Sequence, residues 1–255
     1  MARQPKNNHR TEDQRLLVAP CDQPENFTDT DPWRVMRVMS EFVQGFDALA
    51  ELGPAITIFG SARVKPDNTQ YQQAVETARL LGEAGFNIIT GGGPGIMQAG
   101  NEGAKKANVT SVGLNIELPF EQHLNPFVDI AVDYRYFFVR KTMLVKYAQG
   151  FVIFPGGFGT MDELFEALTL IQTGKIQNFP IVLFDSSYWE GLLGWLRGTM
   201  LREGKVSASD LDLLIVADSP TEVRDIIITA LQGESDQAEK EAAVRAILQQ
   251  VYHGH

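Results

Sequence analysis

The sequence predicts a single doubly wound α/β domain, and three observations carry that prediction. Short, unbroken apolar runs alternate with stretches of helical periodicity from residue 55 to residue 231, the pattern of a mainly parallel sheet buried on both faces. Two glycine-rich segments each follow an apolar run and open a helical stretch, which is where sheets of this kind bind ligands. The chain has 255 residues, enough for one large domain with terminal additions and short for two.

Strands are expected at Ala55 to Phe59, Phe86 to Thr90, Ser111 to Leu114, Ile130 to Val132, Phe151 to Phe154, Ile181 to Phe184 and Leu213 to Val216. Helices are expected over about Gln70 to Ala84, Gly95 to Lys106, Phe137 to Tyr147, Met161 to Gln172, Trp189 to Met200 and Pro220 to Leu231. This alternation describes a Rossmann-like sheet of about seven strands with helices on both faces. Ahead of it, Asp31-Pro32 reads as a helix start, with Asp as N-cap and Pro in the first turn. Val35, Met39, Phe42, Phe46 and Leu49 follow at helical spacing, so this helix is amphipathic and must cover something. Residues 1–31, rich in Asn, Gln, Asp and Pro, read as a mobile arm outside the core. The domain then spans 32–232, and 233–255 forms a C-terminal helix and tail, with apolar residues from Ala238 to Val251.

Hydrophobic residues make up 44% and charged residues 21%, which excludes a chain disordered throughout. A net charge of -10 and a pI near 4.9 repel polyanions, so a nucleic acid is not the expected partner. The single cysteine, Cys21, rules out an intrachain disulfide framework and suits a reducing cytoplasm. No apolar signal core opens the chain, and no stretch approaches the roughly 18 apolar residues of a membrane span. The expected location is cytoplasmic, away from membranes. His9, His253 and His255 are terminal and His123 stands alone, so neither a metal nor an organic cofactor is expected.

Three strand ends carry unusual residues. After the first strand, Gly60-Ser61-Ala62-Arg63 lets a backbone approach a ligand and brings Arg63 within reach of an anion, though a plain tight turn explains it equally. After the second, Thr90-Gly91-Gly92-Gly93-Pro94-Gly95-Ile96-Met97 opens a helix with three successive glycines, whose N–H groups can converge on phosphate oxygens. After the fifth, Pro155-Gly156-Gly157-Phe158-Gly159-Thr160 does the same, with Thr160 placed to cap the helix or to donate to a phosphate. Neither loop completes GxGxxG, and GxxxxGK[ST] is missing, which excludes a dinucleotide fingerprint and a P-loop. Asp162 and Glu163 follow in the expected first helical turn, where acids ordinarily complement the helix dipole. Facing a phosphate loop, such a carboxylate also lies about one sugar's width from the anchored phosphate. Arg135, Arg140 and Lys141 form a cationic stretch that spacing alone assigns to a solvated helix face.

Gly91-Gly92-Gly93-Pro94-Gly95-Ile96-Met97, Arg140-Lys141-Thr142-Met143 and Pro155 to Glu163, read as PGGxGTxxE, resemble the signature of the Lonely Guy family. These are cytokinin riboside 5′-monophosphate phosphoribohydrolases, long mislabelled as lysine decarboxylases. The resemblance spans about Ile56 to Leu231. It implies hydrolysis of the N-glycosidic bond of an N6-modified adenosine monophosphate to free base and ribose 5-phosphate, with Arg140 and Glu163 as the catalytic pair. It further implies substrate contacts at Glu121, Lys141, Gly156, Gly157, Phe158, Gly159, Thr160, Asp162 and Thr169. To these the glycine-rich turns add Ser61, Arg63, Gly92, Gly93 and Gly95. In Arg140-Lys141-Thr142-Met143 the methionine falls one residue earlier than in many members. The arm and the helix near Val35 to Leu52 set the chain apart from short plant-like members. They resemble the larger bacterial branch, which implies a homo-oligomer built on a dimer and extending to a hexamer. The competing expectation is a noncatalytic carrier of a nucleotide or of molybdenum cofactor on the same fold; the joint presence of Arg140 and Glu163 argues against it.

Overall fold

The computed structural model describes residues 11–17, 27–118, 123–177 and 179–232. Seven strands, β1 (Ala55–Phe59), β2 (Asn87–Thr90), β3 (Ser111–Ile116), β4 (Ile130–Tyr134), β5 (Phe151–Ile153), β6 (Ile181–Phe184) and β7 (Leu214–Ala217), form one sheet. Its order is β4-β3-β2-β1-β5-β6-β7, and every neighbouring pair is parallel. The expected strands are all present, displaced by no more than a residue or two at their ends. β1, β5 and β6 are buried along their whole length, which is why they read as unbroken apolar runs.

Helices α1 (Glu12–Leu16), α2 (Asp31–Leu49), α3 (Thr69–Glu83), α4 (Ile96–Lys106), α5 (Phe137–Lys146), α6 (Phe158–Gln172), α7 (Ser186–Trp195) and α8 (Ala208–Leu211) are joined by α9 over residues 220–232. Two apolar clusters form, one on each face of the sheet. The first packs residues of α2, α5, α6 and α7 on the sheet. The second packs α3, α4 and α9 on the opposite face through residues such as Ala78, Ala99 and Ile227. Helix α7 continues into a wider π-helical turn at Leu196–Leu201. No helix among the described residues is long and apolar enough to cross a membrane.

Two expectations are corrected. Helix α2 does not pack through Val35, Met39 and Phe46, which are exposed. Its inner face is Val38, Glu41, Phe42, Gly45 and Leu49. Gly45 permits this because a Cβ there would lie 2.6 Å from the Tyr134 hydroxyl. Val35, Met36, Met39 and Val43 are left as an exposed apolar stripe. Residues 11–17, assigned to an arm outside the core, form the capped turn α1. Thr11 accepts from the Gln14 amide, and Glu12 and Asp13 reach across to α5. The expected helix after Ser235 and the terminal residues His253 and His255, together with His9 and Cys21, lie outside the described residues.

Candidate active site

The strand order reverses between β1 and β5, and in a doubly wound sheet the crevice beyond that switch point is the ligand site. Gly60 to Arg63 leave β1 there and Pro155 to Thr160 leave β5, with Gly91 to Gly95 one strand away. The three segments are hydrogen-bonded into one unit. The Ser61 amide donates to the Pro155 carbonyl at 3.0 Å, and the Ile96 amide donates to the Ser61 carbonyl at 3.1 Å. Gly95 has φ +70°, and a Cβ on it would strike the Ser61 carbonyl. Only glycine accommodates both demands.

The loop after β2 acts mainly as a scaffold. The Gly92 amide donates to Thr90 Oγ1 at 3.0 Å, and the Ile96 amide is held by Ser61. One of the three glycine amides expected to converge on a phosphate, and the first amide of α4, are therefore engaged inside the protein. Asn125 Nδ2 donates to the carbonyls of Gly92 and Gly93 at 3.0 and 3.1 Å and to Asn101 Oδ1 at 2.9 Å. Asn101 Oδ1 also accepts from Thr90 Oγ1 at 2.6 Å, and its Nδ2 donates to Ser111 Oγ at 2.8 Å. This buried network satisfies its own polar groups and fixes the loop.

The loop after β5 presents the opposite picture. Helix α6 starts at Phe158, three residues earlier than expected, with Gly157 as N-cap and no side-chain cap. Thr160 is therefore not a cap, and its hydroxyl instead fills the space that a Cβ on Gly156 would need. The first amides of α6 have no partner within the helix, and Gly157, Phe158 and Gly159 are exposed. A Cβ added at Gly157 or Gly159 would meet nothing within 4 Å among the described residues. Packing does not demand glycine at either position, whereas close approach of an anion to the amides does. Gly156 is held from outside by Tyr188, whose hydroxyl donates to its carbonyl at 2.6 Å.

Because α6 begins early, Glu163 falls in its second turn, where it is 5% exposed and no longer serves the helix dipole. Burial pushes its carboxyl up to about 7 from an ordinary 4.5, against the opposing charges of Arg140 and Lys141 and with help from Glu166 and Asp162. Its Oε2 has no hydrogen-bond partner among the described residues. Arg140 on α5 is not on a solvated face: burial depresses its guanidinium, and the charge of Glu163 counters that effect. Arg140 Nε donates to the Leu114 carbonyl at 2.7 Å, and its terminal nitrogen lies where a Cβ of Gly91 would be. Arg140 and Glu163 thus feel each other's charge.

Lys141 is engaged by two carboxylates, Asp162 Oδ2 at 3.0 Å and Glu166 Oε2 at 2.6 Å. Through these two ion pairs it ties α5 to α6. Arg63 is exposed at the rim beside Ser61, whose hydroxyl accepts from the Arg63 amide at 3.1 Å. Thr169 does not converge. It is exposed six residues beyond Glu163, about 9 Å along the helix, and its hydroxyl donates to the Phe165 carbonyl. Glu121 lies outside the described residues. Sequence reasoning missed Thr90, Asn101, Asn125 and Tyr188. Asn101 carried a signal, since it falls among Ile96, Gly100, Gly103 and Ala104 on the packing side of α4.

An all-parallel doubly wound sheet with an open helix N-terminus and a buried carboxyl–guanidinium pair at its switch point defines a Rossmann-like protein built to hold an anionic small molecule. Residues 97–227 match the family model described as "Possible lysine decarboxylase", and the chain belongs to that family, the one whose Lonely Guy signature its motifs resemble. A cytokinin riboside 5′-monophosphate phosphoribohydrolase of Mycobacterium tuberculosis is 30% identical over 149 residues, 57% of this chain and 79% of the relative. A probable enzyme of the same name from Oryza sativa is 28% identical over 187 residues, 68% of this chain and 79% of the relative. Among solved structures, the molybdenum cofactor binding protein of Rippkaea orientalis superposes with a TM-score of 0.52 at 22% identity, covering 70% of this chain and 96% of that one. That likeness concerns the fold alone.

Proposed function

We propose that the protein hydrolyses the N-glycosidic bond of adenosine 5′-monophosphate or an N6-substituted form, releasing free base and ribose 5-phosphate. The observation that carries this reading is Glu163: a buried carboxyl pushed up to about 7 and countered by Arg140, one turn into a helix whose exposed N-terminus has glycine at 157 and 159. The amides from Gly157 to Thr160 hold the 5′-phosphate, with Ser61 and Arg63 at the rim. Anchoring energy there positions the distant glycosidic bond.

Cleavage builds positive charge on the sugar, which the Glu163 carboxylate stabilises while it orients the attacking water. The bonding electron pair leaves with the base, the water oxygen joins the sugar carbon, and the water proton ends on the base. Arg140 meets the charge growing on that base and holds the substrate in line. A noncatalytic carrier of a nucleotide or of molybdenum cofactor has only the fold in its favour. Such a carrier has no need of a buried acid held near neutrality. The reading includes a cytoplasmic homo-oligomer, for which the exposed stripe on α2 provides apolar surface.

Chromatographic product analysis after incubation with a panel of nucleoside monophosphates tests the reading. Free adenine or N6-substituted adenine is expected from the monophosphates and not from the nucleosides. The Glu163→Gln variant is expected to be folded and inactive; undiminished turnover by it would remove the mechanism. Tight binding without product, even after long incubation, would turn the reading toward the carrier.

A further inference from the structure

Helix α5 carries Arg140, yet its own N-cap residue, Tyr136, provides no side-chain cap. The amides at its start are taken instead by acids from two helices far away in sequence. Both Glu41 carboxylate oxygens accept from the Arg135 amide at 3.2 Å, and Oε2 also accepts from the Tyr136 amide at 3.4 Å. Asp13 Oδ2 accepts from the Phe137 amide at 3.2 Å. Alongside, the Tyr136 hydroxyl donates to Glu12 Oε2 at 3.1 Å, and Glu12 is in turn paired with Arg37 at 3.2 Å. Three consecutive amides are thus satisfied by α1 and α2.

This arrangement is costly. Glu41 is 6% exposed, and burial pushes both it and Asp13 above the usual carboxylate range, against the amides they accept from. A serine or asparagine at position 136 would cap the amide of Phe138 or Val139 and would leave the amides of 135, 136 and 137 to find other partners. What the remote cap does, and a local one does not, is fix the start of α5 relative to the rest of the domain. Arg140 lies one turn on: its amide donates to the Tyr136 carbonyl at 3.3 Å, and its side chain is tied to β3 through the Leu114 carbonyl. A shift of the helix start would pull the guanidinium between these two anchors.

We propose that Glu41 and Asp13 are positioning residues that hold the first turn of α5, and with it the guanidinium of Arg140, in register with the crevice. The inference rests on the proposed role of Arg140 in turnover. The test uses Glu41→Gln and Asp13→Asn in the full chain, with AMP as substrate and peptide-level amide exchange over residues 134–140. Each variant is expected to exchange faster there and to lose about tenfold in kcat with KM within about twofold, the signature of a misplaced reacting group. Unchanged kcat per folded molecule, measured well below the melting temperature, would overturn the proposal, since a purely structural role lowers Tm and not kcat. If Glu41→Gln fails to fold, Asp13→Asn carries the same comparison. If the wild-type protein releases no base, the functional reading fails and AMP affinity by calorimetry replaces kcat. Faster exchange with severalfold weaker AMP binding then supports the positioning role, and unchanged exchange with unchanged affinity overturns it.

Discussion

The terminal nitrogen of Arg140 occupies the space that a side chain at Gly91 would need. The glycine loop after β2 is therefore the wall against which the guanidinium rests. Gly91→Ala is expected to push Arg140 aside, lowering kcat by at least about tenfold while costing about 1–3 kcal/mol of stability through overpacking. Steady-state kinetics and urea unfolding on the same preparation check both halves.

Glu163 sets stability against activity. Its carboxyl is raised from 4.5 to about 7, so between those values the folded state holds more protons than the unfolded state. Stability from this group is full below the unfolded value and is lost as pH rises through 7. Glu163→Gln removes the buried charge. The variant is expected to be more stable than the wild type at pH 8 by up to about 3 kcal/mol, with the difference vanishing near pH 4, while turnover is abolished. Denaturant titrations at several pH values measure it; a variant less stable at pH 8 would contradict the buried ionised acid.

Lys141 lowers the Glu163 carboxyl through its charge. Lys141→Met should therefore raise it, and the acid limb of the kcat/KM profile, which follows ionisation of Glu163 in the free enzyme, should move to higher pH. At pH 7 kcat/KM is expected to fall by about fivefold for the first unit gained. A pH–rate profile with an unmoved acid limb would separate Lys141 from the site.

Asn101 is the hub of the buried network beneath the β2 loop. Asn101→Ala leaves Thr90, Ser111 and Asn125 short of a partner and is expected to cost about 2–4 kcal/mol. Thermal unfolding gives the stability, and a raised KM for AMP would report the loosened loop.

The fold was legible because strands buried on both faces announce themselves as apolar runs, and β1, β5 and β6 are of that kind. The glycine loops were legible because their residue types are unusual at strand ends, whereas Arg140 and Glu163 were singled out only through the family resemblance, spacing alone assigning the first to a solvated face and the second to the helix dipole. The start of α6 was not, since Gly157 and Gly159 read as loop residues although the helix includes the second of them. Nor was the inner face of α2. Glu41 and Gly45 look like surface residues until the amides at 135 and 136 and the hydroxyl of Tyr134 are brought to them from about ninety residues away. Polar residues that become buried by meeting remote partners leave no local pattern to read.

Gly159 carries a different consequence. It sits inside the first turn of a helix, where alanine would be worth about 0.5–1 kcal/mol more than glycine, and a methyl group there touches no neighbour among the described residues. Gly159→Ala should therefore melt at a higher temperature while binding AMP more weakly. A screen that rewards folding alone would let this glycine drift away, and its retention under a screen for turnover would mark the spot where the protein trades rigidity for access.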